Sequence, residues 1–271
     1  MTLKRPSRWY DAYIFDLDGT VYLGGRLLPT AGETLLTLRA RGKRTLFLSN
    51  NPTHTRAEYA ERLTALGLPT PPADIISSGV VMADFLSRQL APGAKLFVIG
   101  ERALEDTLRA AGFELVDDAG CEAVIASFDR GFNYHKLQIG FDALRAGARF
   151  FATNPDKYCP VPGTGPGGVV AGQPDCAAII AALEACTDRT CEAIVGKPAR
   201  QTIDAILAVT GVAAADCVMT GDRLETDVAM GLNAGMAGAL TLTGATPLAA
   251  VAGSAIRPTY VIRNLGELLP E

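Results

Sequence analysis

Short apolar runs rich in β-branched residues alternate with stretches of helical spacing along the whole chain, and this alternation restricts the fold most. Residues 13–15, 45–48, 96–99, 123–126, 150–153, 193–195, 217–219, 239–242 and 259–262 read as strands. Most lack a polar alternation, as strands covered on both faces of a mainly parallel sheet do. Between them, residues 30–40, 56–66, 103–111, 177–185 and 200–209 carry apolar positions three and four apart. Gly42, Gly67, Gly112 and Gly211 lie just past four of these patterns, where helices end on glycine. The pattern predicts an α/β, doubly wound architecture.

With 271 residues, the chain has length for one large or two modest domains. Apolar residues make up 48% and charged residues 20%, enough to build sizeable cores. The balance of 25 basic and 29 acidic residues gives a net charge of −4, so no strong positive field gathers nucleic acid. Lys4, Arg5 and Arg8 are followed by Trp9-Tyr10-Asp11 rather than by an apolar signal region. No segment approaches the roughly 20 apolar residues of a membrane helix. A cytoplasmic protein with neither nucleic acid nor membrane as partner is expected. None of the six cysteines forms a C-x-x-C pair, and with two histidines the chain offers little for zinc. Residues 160–168 hold three prolines and four glycines, which fits either a rigid, shaped loop or a flexible hairpin tip.

In open α/β sheets ligands bind beyond the carboxyl ends of the strands, so polar residues just after predicted strands carry the chemical information. Four segments stand there. Asp16-Leu17-Asp18-Gly19-Thr20 places two carboxylates on a chain leaving a strand, and Gly19 permits a tight turn whose amides form an anion nest. A turn or a helix cap explains most lone D-x-D pairs; the added Gly-Thr behind an apolar strand is far more specific. Ser49-Asn50-Asn51 offers a hydroxyl and amides to phosphate oxygens, or starts a turn before Pro52. Lys197 in Gly196-Lys197-Pro198 brings a positive charge to a phosphoryl group, or is an exposed loop lysine. Asp222 and Asp227 flank a turn and suit Mg²⁺, which takes a few carboxylates plus water, or they cap a helix.

Taken in this order, each after a strand, the four segments resemble the motifs of the haloacid-dehalogenase superfamily of aspartyl phosphohydrolases. Between Asn51 and Lys197 lie 145 residues, too many for one crossover connection. In that superfamily such an interval marks an inserted cap. Ser-Asn-Asn, Gly-Lys-Pro and the run Thr153-Asn154-Pro155-Asp156 are similar to the para-nitrophenylphosphatase-like branch with an α/β type of cap. The resemblance implies a Rossmann-like core over residues 1–80 and 179–271, and a cap over 81–178.

It also implies a mechanism. Asp16 would attack phosphorus and become an aspartyl-phosphate, and Asp18 would protonate the leaving oxygen and then activate water. Mg²⁺ would be held by Asp16, the Asp18 carbonyl and Asp222, with Asp227 close by or acting through water. Ser49, Asn50, Asn51, Lys197 and the Gly19–Thr20 backbone would hold the phosphoryl oxygens. Asn154, Asp156 and Lys157, with the 160–168 loop, would face the leaving group or merely shape the cap. The substrate expected is a small phosphorylated metabolite, with para-nitrophenyl phosphate as an artificial one. A homodimer is a family-level expectation. The motifs leave open transfer to an acceptor other than water, as in a mutase or phosphotransferase. A dehalogenase would not need Asp18 and the Asp222/Asp227 pair, and a silent binding protein would not need every catalytic position filled. His54 reads as a helix-entry residue, His135 as solvent-facing, and Glu225 either as a neighbour of the metal shell or as a favourable helix start.

Overall fold

The computed structural model describes residues 3–164 and 170–270 and divides into two compact units. One comprises residues 1–49, 56–76 and 197–271; the other, residues 50–55 and 77–196. The second unit therefore reaches beyond the 81–178 expected from the sequence at both ends. At its C-terminal side the reason is packing. Helix Cys176–Thr187 buries Cys176, Ile179, Ile180 and Leu183 in the same apolar cluster as Phe150 and Val124, and strand Ala193–Ile194 pairs with Arg149–Ala152.

The first unit is built on a six-stranded sheet. Its order is Tyr260–Ile262, Ala237–Thr241, Cys217–Gly221, Ala12–Asp16, Arg44–Ser49, Ile75–Ser77. The pairings from Tyr260–Ile262 across to Arg44–Ser49 are all parallel. Ala12–Asp16 is buried at every position and lies centrally, as its uninterrupted apolar run requires. Tyr13, Phe15 and Phe47 stack on one face, where Leu35, Leu38, Tyr59 and Leu63 from two helices complete the core. The chain moves outward from Ala12–Asp16 in one direction and later returns to its other side at Cys217–Gly221. That reversal leaves a crevice at the carboxyl ends of these two strands.

The second unit has its own parallel sheet, ordered Ala193–Ile194, Arg149–Ala152, Ala123–Ala126, Lys95–Ile99, Glu114–Leu115. An antiparallel ribbon, Tyr158–Thr164 with Val170–Pro174, stands apart from it. Residues 165–168 of the Pro-Gly loop lie outside the described residues. Each of the nine strands read from the sequence is present. Gly42, Gly67, Gly112 and Gly211 all have positive φ, as helix-terminating glycines do. Helices Ser78–Gln89 and Tyr134–Arg145 were not anticipated. Each starts on a side-chain cap, Ser77 accepting from the Val80 amide and Asn133 from that of Lys136. No helix among the described residues is long and apolar enough to cross a membrane.

Candidate active site

Asp16 ends the central strand, and parallel register sets it beside Leu48, one residue before Ser49. On the other side, Phe15 is in register with Thr220, so Gly221 and Asp222 emerge next to Asp16. Sheet geometry alone thus gathers three of the four segments at one crevice.

Lys197 joins them. Its ammonium donates to Asp16 Oδ1 and to Asp227 Oδ1, each at 2.6 Å, and the side chain is only 3% exposed. Burial alone would discharge this lysine, but Asp16 and Asp227 outweigh it and hold its proton above the ordinary lysine range. It is therefore not the exposed loop lysine that the local sequence also permitted. Thr20 donates its hydroxyl to the other Asp16 oxygen at 3.2 Å, so both oxygens are oriented. Asp227 is anchored too: its Oδ2 accepts from the Arg223 amide at 3.1 Å. The turn after Asp222 is wide, since the Val228 amide reaches back five residues to the Arg223 carbonyl. Gly221 makes room for it, because a Cβ there would sit 2.2 Å from the Asp227 carboxyl carbon.

Asp16, Asp222 and Asp227 each bring a carboxylate oxygen to within 4.8 Å of the others, and all three residues are buried. Burial, then the charge of Asp16, pushes Asp18 up to about 6 despite Arg62, Lys197 and Arg223 nearby. Asp222 is also pushed up, by burial and then by Asp16 and Asp227. Asp227 is raised by burial, although Lys197 pulls against it. These upward shifts reflect a shortage of positive charge around buried carboxylates. A hard divalent cation taking oxygen ligands would fill that shortage, and the donor set fits Mg²⁺.

The Gly19 amide donates to the Tyr22 carbonyl at 2.8 Å and that of Thr20 to Leu17 at 3.3 Å, both within the turn. These two bonds close the turn, and Gly19, at φ 90°, makes the bend possible. Ser49 exchanges a hydrogen bond with the Tyr59 hydroxyl at 3.1 Å. Glu225 is exposed, and His135 is exposed as expected.

Within the second unit, Asn50 donates to Asp156 Oδ2 at 3.0 Å, and Asn154 donates to the Asn50 carbonyl at 3.2 Å. The Asp156 amide in turn donates to Asn154 Oδ1 at 2.9 Å, and Asn51 reaches the Cys159 sulfur at 3.6 Å. Residues singled out separately, as phosphate holders and as cap residues, thus form one polar network. A Cβ on Gly196 would come within 2.8 Å of Asn50 Oδ1, so glycine keeps this corner open.

The segment Thr243–Thr246 went unnoticed in the sequence. The Ala245 amide donates to Asp222 Oδ2 at 2.6 Å and the Thr246 amide to the Asp222 carbonyl at 3.1 Å. The signal was available: Thr-Gly-Ala-Thr follows a predicted strand, the position that marked the other four segments.

Comparison with known proteins gives a consistent result. A family model described as haloacid dehalogenase-like hydrolase matches residues 13–114, and a second, HAD-hydrolase-like model matches residues 194–268. The sugar-phosphatase AraL of Bacillus subtilis is 36% identical over 232 residues, 85% of this chain and 82% of that protein. A 4-nitrophenylphosphatase from Thermotoga maritima superimposes with a TM-score of 0.88 at 34% identity, covering 96% of each chain. A glycerol phosphate phosphatase from Mycobacterium tuberculosis, solved in complex with magnesium, gives 0.86 at 29% identity, over 98% of this chain and 78% of that one.

Proposed function

Because the chain belongs to the haloacid-dehalogenase superfamily, as a phosphoric monoester hydrolase of its para-nitrophenylphosphatase-like branch, we propose that it cleaves small sugar or polyol phosphates through an aspartyl-phosphate on Asp16. The observation that carries this reading is the buried Lys197 ammonium, 2.6 Å from both Asp16 and Asp227, beside a three-carboxylate cluster. A carboxylate nucleophile and a phosphate dianion repel each other, and an arrangement of this kind compensates that repulsion.

Thr20 and Lys197 fix the two Asp16 oxygens, which limits the rotation the nucleophile must lose before in-line attack. Lys197 neutralises charge as it spreads over the phosphoryl oxygens. Asp18, raised to about 6, still holds a fraction of its proton near neutrality and can give it to the leaving oxygen. The resulting carboxylate then takes a proton from the water that hydrolyses the intermediate. Asp16, Asp222 and Asp227, with the Asp18 carbonyl, are the groups that would hold Mg²⁺. The ion would supply Lewis-acid stabilisation of the phosphoryl charge. Ser49 and Asn50 are assigned to the phosphoryl oxygens. Asn154 and Asp156, which share the Asn50 network, are assigned to choice of leaving group. The sugar-phosphatase relative and the glycerol phosphate phosphatase support the substrate class.

Phosphate release from a panel of sugar, polyol and aryl phosphates, with Mg²⁺ and with chelator, tests the reading. Metal-dependent release that Asp16→Asn lowers by at least about 10³-fold is expected, as for loss of a covalent nucleophile. Transfer to an added polyol acceptor in place of water would instead favour a phosphotransferase. Unchanged turnover in Asp16→Asn would remove Asp16 from the chemistry.

A further inference from the structure

Asp222 is held by a loop that none of the recognised segments contains. Thr243 donates its hydroxyl to the Gly19 carbonyl at 2.7 Å. The hydroxyls of Thr241 and Thr243 lie 3.0 Å apart. A hydroxyl has one proton, and that of Thr243 goes to Gly19, so Thr241 is the donor between them. The result is a directed chain from buried Thr241 through Thr243 to the turn carrying Asp18 and Gly19.

The next residue, Gly244, makes the closest approach. A Cβ there would lie 2.0 Å from Asp222 Oδ2, 2.6 Å from its carboxyl carbon and 2.7 Å from its Cβ. Rotating the carboxylate cannot relieve a clash that extends to the Asp222 Cβ. On the other side, a Cβ on Gly19 would lie 2.7 Å from the same oxygen and 3.4 Å from the Gly244 Cα. Asp222 Oδ2 therefore sits between two glycines from different loops and accepts from the Ala245 amide at 2.6 Å. That amide commits one oxygen and sets the direction of the other.

The geometry points to Thr243, Gly244 and Ala245 as positioning residues that hold Asp222 and the Asp18–Gly19 turn ready for a divalent cation. They touch neither phosphate nor metal in this scheme; they act through Asp222 and the Gly19 carbonyl. The inference rests on the metal reading of the site, and it adds a fifth strand-end segment to that site. The physical basis is preorganisation. Three buried carboxylates repel one another, and without external restraint Asp222 would turn away until an ion arrived.

Calorimetric titration of Mg²⁺ into metal-free protein tests this, with Thr243→Val, Thr243→Ser, Gly244→Ala and Asp222→Asn beside the wild type. Circular dichroism and thermal melting of each metal-free variant check the fold. Thr243→Val should weaken Mg²⁺ binding about three- to tenfold, the effect of one ordinary hydrogen bond. Thr243→Ser, which keeps the hydroxyl, should restore it to within about twofold. Gly244→Ala should weaken binding about 10- to 100-fold, as misdirected ligands do. If Asp222→Asn abolishes binding while Thr243→Val and Gly244→Ala bind Mg²⁺ as the wild type does, the positioning role is wrong and the metal reading stands. If Asp222→Asn binds Mg²⁺ unchanged, the metal reading fails and the inference with it. Should Gly244→Ala not fold, the Thr243→Val and Thr243→Ser pair decides alone.

Discussion

Lys197 shows how much one residue's placement decides. As a sequence element it is a lysine after a short strand, open to a surface role. In the fold it is buried against two carboxylates, and they hold its proton firmly despite the low-polarity surroundings. Replacing it with methionine would keep the volume and leave Asp16 and Asp227 facing each other uncompensated. We expect Lys197→Met to lower phosphatase turnover by at least about 10²-fold, the scale for loss of an electrostatic stabiliser. The metal-free variant should also lose about 3–5 kcal/mol of stability in urea unfolding, as broken buried pairs do. Stability equal to the wild type would show that the carboxylates take up protons at little expense. That Asp16, Lys197, Asp222 and Asp227 come together was legible in the sequence, because each stands just past a strand end, where neighbouring parallel strands bring side chains to one crevice. The turn bonds of the Gly19 and Thr20 amides were not, since a turn's internal hydrogen bonds depend on the path of the chain after it.

Elements deliver these residues by their ends. Strand Ala12–Asp16 carries Asp16 at its last position, and Gly221 ends Cys217–Gly221 where a side chain would strike Asp227. The second unit uses helix starts in the same way. Asn133 caps Tyr134–Arg145 by accepting from the Lys136 amide at 3.1 Å, while the Lys136 side chain pairs at 2.5 Å with nearly buried Asp129. Asn133→Ala should destabilise the protein by about 1 kcal/mol, the usual value of such a cap, read as a lower urea midpoint. No change would mean that the Asp129–Lys136 pair holds the helix start unaided. Helices of clear three-four spacing were visible in the sequence. Ser78–Gln89 and Tyr134–Arg145 were harder, because several apolar positions on them stay partly exposed or mix with small residues, which blurs the period.

At the scale of the whole molecule, two α/β units share one chain, each with a parallel sheet of its own. The first gathers its acidic cluster at the reversal of strand order, so ion binding should stabilise that unit as a body. At a Mg²⁺ concentration about 100 times its dissociation constant, linkage contributes about 2.7 kcal/mol. For a protein of this size that corresponds to a rise in melting temperature of about 5–10 °C. Differential scanning fluorimetry of chelator-treated protein, with and without Mg²⁺, measures it. Asp222→Asn should show little of the rise, and a melting temperature indifferent to Mg²⁺ in the wild type would sink the carboxylate cluster as a metal site.

Local pattern by itself determined the α/β class, the nine strands, the charged segments at the strand ends and the existence of an inserted unit. Each depends on near neighbours in the chain or on a spacing too long for a single crossover. Only the tertiary structure decided where that unit begins and ends, that Asn50 bonds with Asp156, and that Thr243–Thr246 clamps Asp222. These depend on which strand ends come to lie side by side. Strand order in a sheet is set by the packing of helices on both faces, and no short stretch of sequence contains it.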